Sequence, residues 1–163
     1  MPVLIRSMTP EEFDKFYQWS VAHQAAELVK ERSICLEDAQ KETIAEITSM
    51  LPDGLDTKHN YLMTISEKGS GETAGFIWML HENTTGRKQS FICDFAIWES
   101  KRRRGYASAA LELAEKHAVD SGCLESVLFV ADENTAARAL YEKCGYRILR
   151  KAQYGKYMIK QLL

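Results

Sequence analysis

Long apolar runs, paired cysteines and an excess of one charge are all missing from this sequence. No uninterrupted apolar stretch approaches the roughly 18 residues that a membrane-spanning helix needs, and the N-terminus has no basic segment followed by an apolar one. The four cysteines are widely spaced and form no C-x-x-C pair, which indicates reduced thiols. The net charge is only −2, which is unlike a protein that coats nucleic acid. We therefore expect a cytoplasmic protein without a membrane or nucleic-acid partner.

Two familiar nucleotide-binding signatures are absent as well. The chain has neither a Gly-Lys-Ser/Thr phosphate loop nor a G-x-G-x-x-G dinucleotide signature, which excludes the usual NTPase and Rossmann sites. Its 163 residues, 45% of them hydrophobic and 27% charged, are enough to build a hydrophobic core. Because there is no repeat and no low-complexity segment, the sequence predicts one domain over residues 1–163.

A basic turn, Arg102-Arg103-Arg104-Gly105-Tyr106-Ala107, is the most informative segment that is present. Small and apolar residues recur after it at the spacing of one buried helix face, at Ala107, Ala110, Leu111, Ala114 and Ala118. A helix that begins near Gly105 leaves its first N–H groups without intrahelical partners and places about half a positive charge there. The turn therefore predicts an anion site that would hold a phosphate.

Two other interpretations of the basic run 101–104 remain open at this point: a solvated surface patch, or a contact for RNA. The preceding segment Ser90–Trp98 is rich in β-branched and aromatic residues and predicts a mostly buried strand. A basic turn between a strand and a helix favours the anion site.

The rest of the chain alternates between helical and strand-like patterns. Helices are predicted after Thr9, over about 36–51 and 105–121, and between Asn134 and Gly145, with 52–60 as the longest loop. Strands are predicted at Val3–Ile5, Tyr61–Glu67, Thr73–Leu80, Ser90–Trp98, Val127–Ala131, 146–150 and 155–162. The strands from 61 to 98 predict an antiparallel meander, and the order strand, helix, strand around 105–121 implies a parallel neighbour.

Two motifs in this order of elements resemble the GNAT superfamily of acyl-CoA-dependent N-acyltransferases. Arg102-x-x-Gly105-x-Ala107 is similar to the family's pyrophosphate-binding turn, and Asn134-x-x-Ala137-x-x-Leu140-Tyr141-x-x-x-Gly145-Tyr146 is similar to its second motif. The resemblance covers essentially the whole chain. It implies an α/β (α+β) fold with a mixed, mostly antiparallel sheet of six to seven strands. A parallel pair lies at the centre of that sheet, and about four helices flank it.

The resemblance also implies acetyl-CoA as the acyl donor, with no metal. The pyrophosphate would be held by the turn and the first residues of its helix, and the pantetheine arm by strand backbone and an asparagine side chain. The residues assigned to the acetyl-CoA site in this way are Ala96, Ile97, Arg102, Arg103, Arg104, Gly105, Tyr106, Ala107, Ser108 and Asn134. Asn134 is also expected to cap the helix that follows it.

Two side chains are the candidates for proton transfer. Tyr141 resembles the family's general acid, since a phenol of pKa about 10 keeps its proton at neutral pH; packing over the core is its alternative role. An acceptor amine of pKa about 10.4 must lose a proton before it attacks. Asp94, out of phase with Phe95 and Ile97 on its strand, is the first candidate base, with a purely structural acid as the alternative.

The base stays open because many family members carry a glutamate slightly earlier on this strand, where Ser90 and Phe91 stand here. The further candidates for the base are His81, Glu82 and Glu27. Three cysteines are better explained by buried packing than as nucleophiles: Cys93, Cys123 and Cys144.

The acceptor is expected to be a small-molecule or peptide amine. The first two helices carry acidic and aromatic side chains that would suit a cationic amine or else form solvated helix faces: Trp19, His23, Glu27, Glu31, Glu37 and Asp38. A non-catalytic acyl-CoA sensor and an RNA-binding protein are the alternative functions. The resemblance to the family also suggests a homodimer.

Overall fold

A computed structural model describes residues 1–163, and the chain divides into two compact units. The sheet unit comprises Met1–Ser7 and Tyr61–Leu163, and the helical unit comprises Met8–Asn60. No helix in the chain is both long enough and apolar enough to cross a bilayer. The single domain expected over residues 1–163 stays a prediction.

The helical unit contains two helices, α1 (Pro10–Arg32) and α2 (Leu36–Met50). The Thr9 hydroxyl accepts from the Glu12 N–H, and the Glu12 carboxylate accepts from the Thr9 N–H, so the predicted start of α1 is a capping box. Ser33, in the left-handed conformation at φ 54°, ends the helix. A short 3-10 turn at Gly54–Asp56 lies within the predicted loop.

The sheet unit holds seven strands and two helices. The strands are β1 (Val3–Ser7), β2 (Asn60–Glu67), β3 (Thr73–Thr84), β4 (Arg87–Ile97), β5 (Glu125–Ala131), β6 (Arg147–Lys151) and β7 (Gly155–Gln161). The helices are α3 (Tyr106–Asp120) and α4 (Thr135–Lys143). The predicted elements are confirmed, although β3 and β4 extend further than expected. The polar segment between them continues the ladder, with His81 opposite Ser90 and Glu82 opposite Gln89.

One sheet contains all seven strands in the order β1-β2-β3-β4-β5-β7-β6. The pairings β1–β2, β3–β4, β5–β7 and β6–β7 are antiparallel, whereas β4 and β5 run parallel. The α/β (α+β) fold class with a central parallel pair is therefore confirmed. Because strands joined through a helix come to lie side by side, the segment β4-α3-β5 brings the basic turn to the carboxyl end of a central strand.

The parallel pairing between β4 and β5 is short, so the two strands separate toward their carboxyl ends and leave an opening in the sheet. Its register runs only from Gln89 opposite Glu125 to Ile92 opposite Leu128, whereas β4 continues to Ile97 and β5 to Ala131. A register shift against β3 also falls here, where Trp78 opposes Asp94 but Met79 opposes Ile92, so Cys93 is the extra residue of a bulge. Beyond this bulge the two central strands are no longer paired.

The core of the sheet unit lies between the sheet and α3. Small residues on one face of α3 let it lie close to the strands. Of the predicted face, Ala110, Leu111, Ala114 and Ala118 are buried and Ala107 is partly buried, and Ala109, which was not predicted, is buried as well. Ile92 before the bulge and Ile97 after it belong to the same cluster. The bulge thus changes the phase of β4 and keeps both isoleucines on the core side.

Candidate active site

A cavity of about 210 Å³ opens at the start of α3. The turn supplies most of its lining, and β4 and α4 supply one residue each: Ile97, Lys101, Arg102, Arg103, Gly105, Tyr106, Ala107, Ser108 and Leu140. Seven of the ten residues assigned to acetyl-CoA are in this lining; Ala96, Arg104 and Asn134 are not. The predicted turn, the first residues of α3 and Leu140 of α4 therefore line one concave surface.

The backbone of the turn contains two left-handed residues at the entry to α3. Arg103 has φ 64° and Gly105 has φ 76°, both left-handed, while Arg102 between the 3-10 turn and Arg103 is extended at φ −75°. Gly105 is the N-cap of α3 and offers no side-chain cap, so the first N–H groups of the helix have no capping side chain.

The four basic side chains of the run divide into two pairs. Lys101 and Arg104 are held by acids, because Lys101 Nζ lies 2.9 Å from Glu67 and 2.5 Å from Glu72, and Arg104 lies 3.2 Å from Glu67. Arg102 donates through Nε to the Ile97 carbonyl at 3.0 Å. Arg103 is exposed and makes no ion pair. The positive charge left to a ligand is therefore that of Arg102 and Arg103.

Glu67, at the end of β2, is the partner that sequence reasoning missed. Its Oε2 accepts from the Tyr106 hydroxyl at 2.5 Å, and its Oε1 accepts from Ser70 at 2.9 Å as well as from Lys101. The bonds from Tyr106 and Lys101 lower the pKa of Glu67 from 4.5 to about 2. Nothing in the sequence signals this contact, because Glu67 and Tyr106 are separated by 39 residues.

The direction of the β4 backbone decides which residues face the opening. Trp98 N–H donates to the Ala74 carbonyl at 2.8 Å, and donors alternate along an antiparallel ladder. The backbone groups of Ala96 therefore turn toward β3, and those of Phe95 and Ile97 turn away from it. In agreement, a Cβ on Gly75 would overlap the Ala96 oxygen. The backbone facing β5 belongs to Phe95 and Ile97.

The two candidate proton carriers lie close enough to influence each other. Asp94 follows the bulge residue, and its Oδ1 accepts from the Phe95 N–H at 3.0 Å. Tyr141 on α4 is 9% exposed and packs edge-on against Tyr146. Burial first, and then the charge of Asp94, raise the pKa of Tyr141 from 10 to about 12. Tyr141 therefore keeps its proton at any physiological pH.

The second motif is confirmed as a capped helix. Asn134 accepts from the Ala137 N–H at 3.1 Å through its side-chain oxygen, which leaves its amide group to donate elsewhere. Cys144 at the end of α4 contacts the Ser108 hydroxyl at 3.9 Å and so joins the two helices. Burial raises the pKa of the Cys93 and Cys123 thiols, which favours packing over nucleophilic chemistry.

The three further candidates for the base lie elsewhere. His81 is 3% exposed and stacks with Tyr61 and His117, at ring separations of 4.4 and 5.5 Å. Glu82 accepts from Gln89 on the exposed hairpin. Glu27 pairs with His23 on α1, 3.2 Å away, within the helical unit. None of them lines the cavity, and neither Asp94 nor Tyr141 is in its lining, although Leu140, next to Tyr141, is.

Comparison with known proteins decides the family. A sequence profile described as the acetyltransferase (GNAT) family matches residues 11–146. The chain belongs to the GNAT acetyltransferase family. It is 33% identical to the uncharacterized N-acetyltransferase YycN of Bacillus subtilis over 149 residues, which cover 90% of this chain and 94% of that protein. As a GNAT enzyme it is an acyl-CoA-dependent N-acetyltransferase that acts on an amine.

Solved structures share the GNAT fold over nearly the whole length. The crystal structure of YycN from Bacillus subtilis has a TM-score of 0.86 at 30% identity, covering 99% of both chains. PaiA N-acetyltransferase from Thermoplasma acidophilum, in complex with coenzyme A, has 0.72 at 16% identity and 99% coverage of both. Spermidine N-acetyltransferase from Vibrio cholerae, in complex with CoA and spermine, has 0.69 at 13% identity, covering 99% of this chain and 96% of that one.

Proposed function

We propose that this GNAT protein transfers the acetyl group of acetyl-CoA to a primary amine by direct attack of the amine. The observation that carries the proposal is the turn at Arg102–Gly105, which lines the cavity at the start of α3 with two basic side chains and the uncapped first turn of the helix. A helix N-terminus presents N–H donors to an anion. A pyrophosphate is the ligand that such a surface fits.

The residues of the turn suit acetyl-CoA in charge and in shape. Arg102 and Arg103 line the cavity, and a guanidinium can make two parallel hydrogen bonds to a phosphate. Gly105, Ala107 and Ser108 are small, so a ligand can approach the backbone of the first turn. Arg104, which Glu67 holds outside the lining, contributes to the shape of the turn.

The arm of the cosubstrate has peptide-like groups that can pair with strand backbone. The parting of β4 from β5 leaves such backbone beyond the last parallel pair at Ile92. The Phe95 N–H donates to Asp94 and the Ile97 carbonyl accepts from Arg102, so the groups offered to the arm are the Phe95 carbonyl and the Ile97 N–H. The side-chain amide of Asn134 is available as a further donor. Bound acetyl-CoA would supply an activated acyl group as a thioester.

The chain's own residues would move the protons. Asp94 would accept a proton from the acceptor amine, directly or through water, and Tyr141 would donate one to the departing sulfur. Asp94 follows the bulge where β4 parts from β5, and Tyr141 lies on α4 next to Leu140, which lines the cavity. Both roles are proposals for these side chains.

The acceptor is proposed only as a small-molecule or peptide amine. Acids on the first two helices have basic neighbours, with Glu37 3.5 Å from Lys41 and Glu42 3.1 Å from Arg32, so their charge does not by itself favour a cation. Because one structural neighbour carries the name spermidine N-acetyltransferase, polyamines belong in the first panel of acceptors, next to lysine-bearing peptides. The cytoplasmic location, the homodimer and the absence of metal, membrane and nucleic-acid partners stay predictions.

Calorimetric titration tests the cosubstrate. Acetyl-CoA and CoA should each bind with 1:1 stoichiometry, and ATP at matched salt should bind much more weakly, because it lacks the arm. Release of free thiol from acetyl-CoA then identifies acceptors in the panel. Failure of both CoA forms to bind would contradict the proposed site at the turn.

A further inference from the structure

One carboxylate holds the turn from both ends. Lys101 precedes the segment Arg102–Gly105 and Tyr106 follows it, and both bond to Glu67, at 2.9 and 2.5 Å. Arg104, inside the segment, bonds to the same side chain at 3.2 Å. We propose that Glu67 is a positioning residue for coenzyme A, which fixes the turn in the shape that binds phosphate. The inference rests on the proposed function, since it takes the turn to be the phosphate site.

The turn needs such an anchor because its backbone is unfavourable for its sequence. Arg103 is a non-glycine residue at φ 64°, a conformation that side chains with a Cβ rarely adopt. It persists only where the surrounding structure holds it. The Arg103 side chain makes no ion pair, so the restraint must come from its neighbours in the chain. Arg102 is held by the Ile97 carbonyl, and Glu67 holds Arg104 together with Lys101 and Tyr106 on either side of the segment.

Glu67 itself is firmly placed. Its side chain is 12% exposed, and Ser70 donates to it in addition to the three residues of the turn. The bonds from Tyr106 and Lys101 keep its pKa at about 2, so the carboxylate is charged throughout the working pH range of a protein. A charged acceptor with its lone pairs occupied makes strong, directional hydrogen bonds.

Charge alone would predict the opposite effect for this residue. A negative side chain beside a phosphate site repels the ligand, so removing the charge of Glu67 should strengthen the binding of CoA if Glu67 acts only through its field. If Glu67 positions the turn, its removal should weaken binding. The sign of the change in affinity therefore separates positioning from electrostatics.

The chain offers a matched control at Glu72. This acid binds the same lysine, with Glu72 2.5 Å from Lys101, but it is 65% exposed and has no contact with Arg104 or Tyr106. Glu67→Gln and Glu72→Gln remove the same charge from the same neighbourhood. Only the first variant weakens contacts at both ends of the turn, because glutamine keeps one acceptor oxygen in place of two charged ones.

The experiment is calorimetric titration of the full chain with CoA at fixed salt, for the wild type and both variants. We expect the Kd of Glu67→Gln to rise about tenfold and that of Glu72→Gln to stay within about twofold. Binding by Glu67→Gln that is unchanged or tighter would overturn the inference and leave the proposed function intact. Absence of CoA binding by the wild type would overturn both.

A substrate without phosphates distinguishes positioning from general damage to the fold. With acetyl-pantetheine as donor, Glu67→Gln should keep the wild-type kcat/KM, while with acetyl-CoA its KM should rise and its kcat should not change. Equal losses with both donors would indicate a merely structural role and overturn the inference. If Glu67→Gln does not fold, Tyr106→Phe, which removes one of the three contacts, should show the same donor-specific rise in KM on a smaller scale.

Discussion

The carboxylate of Asp94 accepts a hydrogen bond from the backbone N–H of the next residue, Phe95, with Oδ1 3.0 Å from the nitrogen. The N–H of Phe95 is one of those that turn away from β3, at the part of β4 that β5 no longer pairs. The bond therefore fixes the carboxylate beside the opening of the sheet. The charge of Asp94 also reaches the phenol of Tyr141, so a candidate base and a candidate acid occupy one neighbourhood.

Replacing Asp94 by Asn should separate its chemical role from its structural one. The amide oxygen can still accept from Phe95 N–H, but it cannot take a proton from an amine. We expect kcat to fall about a hundredfold and the Kd for CoA to stay near the wild-type value, measured by thiol release and by calorimetry. Asp132→Asn, at a surface acid that pairs with Lys156, serves as the control and should keep its rate. An unchanged kcat would return Asp94 to a structural role.

Tyr141→Phe tests the general acid. Because the pKa of Tyr141 is raised to about 12, the phenol should remain a donor at every pH at which the enzyme is assayed. Loss of the hydroxyl should lower kcat about a hundredfold and leave CoA affinity unchanged. Titration of this residue should not lower the wild-type rate below about pH 10, since the phenol is still protonated there.

The control for Tyr141 is the neighbouring buried tyrosine. Tyr146 donates to Ser126 at 2.8 Å, and its ring centre lies 5.8 Å from that of Tyr141. Tyr146→Phe should lower the melting temperature, because Ser126 loses a buried partner, without a comparable loss of kcat. If both variants lose only stability, Tyr141 is a core residue.

Sequence patterns were sufficient wherever a local rule decides the structure. The capping box at Thr9, the glycine that begins α3 and the cap at Asn134 each depend on contacts within about four residues, and all three are present. The spacing of alanines in α3 likewise placed its buried face correctly. These features follow from backbone chemistry that any helix obeys.

The features that sequence reasoning missed depend on distant contacts. The strands β3 and β4 extend through polar residues because these residues pair across the two strands. The polar segment has no alternation of apolar and polar residues from which a strand could have been predicted. The bulge at Cys93 decides that Phe95 and Ile97 turn their backbone toward the opening, and a bulge has no composition signal here. The sequence identifies Glu67 only as the last residue of a predicted strand. Its contact with Tyr106, 39 residues away, depends on the tertiary fold.

Substitutions at Gly105 test the turn itself. Gly105 has φ 76° and open space where a Cβ would stand, so Gly105→Ala should cost about 1 kcal/mol of stability through backbone strain alone. Gly105→Glu adds the same strain and places a negative charge in the anion site. We expect measurable CoA binding by calorimetry for the alanine variant and none for the glutamate variant. Retained affinity in Gly105→Glu would mean that the turn does not hold phosphate.

His117 should make the stability of the protein sensitive to mild acid. Its Nδ1 is buried without a hydrogen-bond partner, its ring packs edge-on against Tyr61 at 4.7 Å, and burial lowers its pKa below 6.5. A histidine with a lowered pKa in the folded state binds a proton more readily when unfolded. Stability is therefore retained above about pH 6.5 and is lost as the pH falls from there through the folded pKa.

The melting temperature measured between pH 8 and pH 5 checks this expectation, with His117→Phe as the comparison. Phenylalanine keeps a ring against Tyr61 but cannot be protonated, so the melting temperature of the variant should fall less over this range. The carboxylate of Glu67 acts in a separate window, because its pKa is lowered from 4.5 to about 2 and its contribution is lost only below about pH 4.5. An equal fall in both proteins above pH 5 would assign the sensitivity to another group.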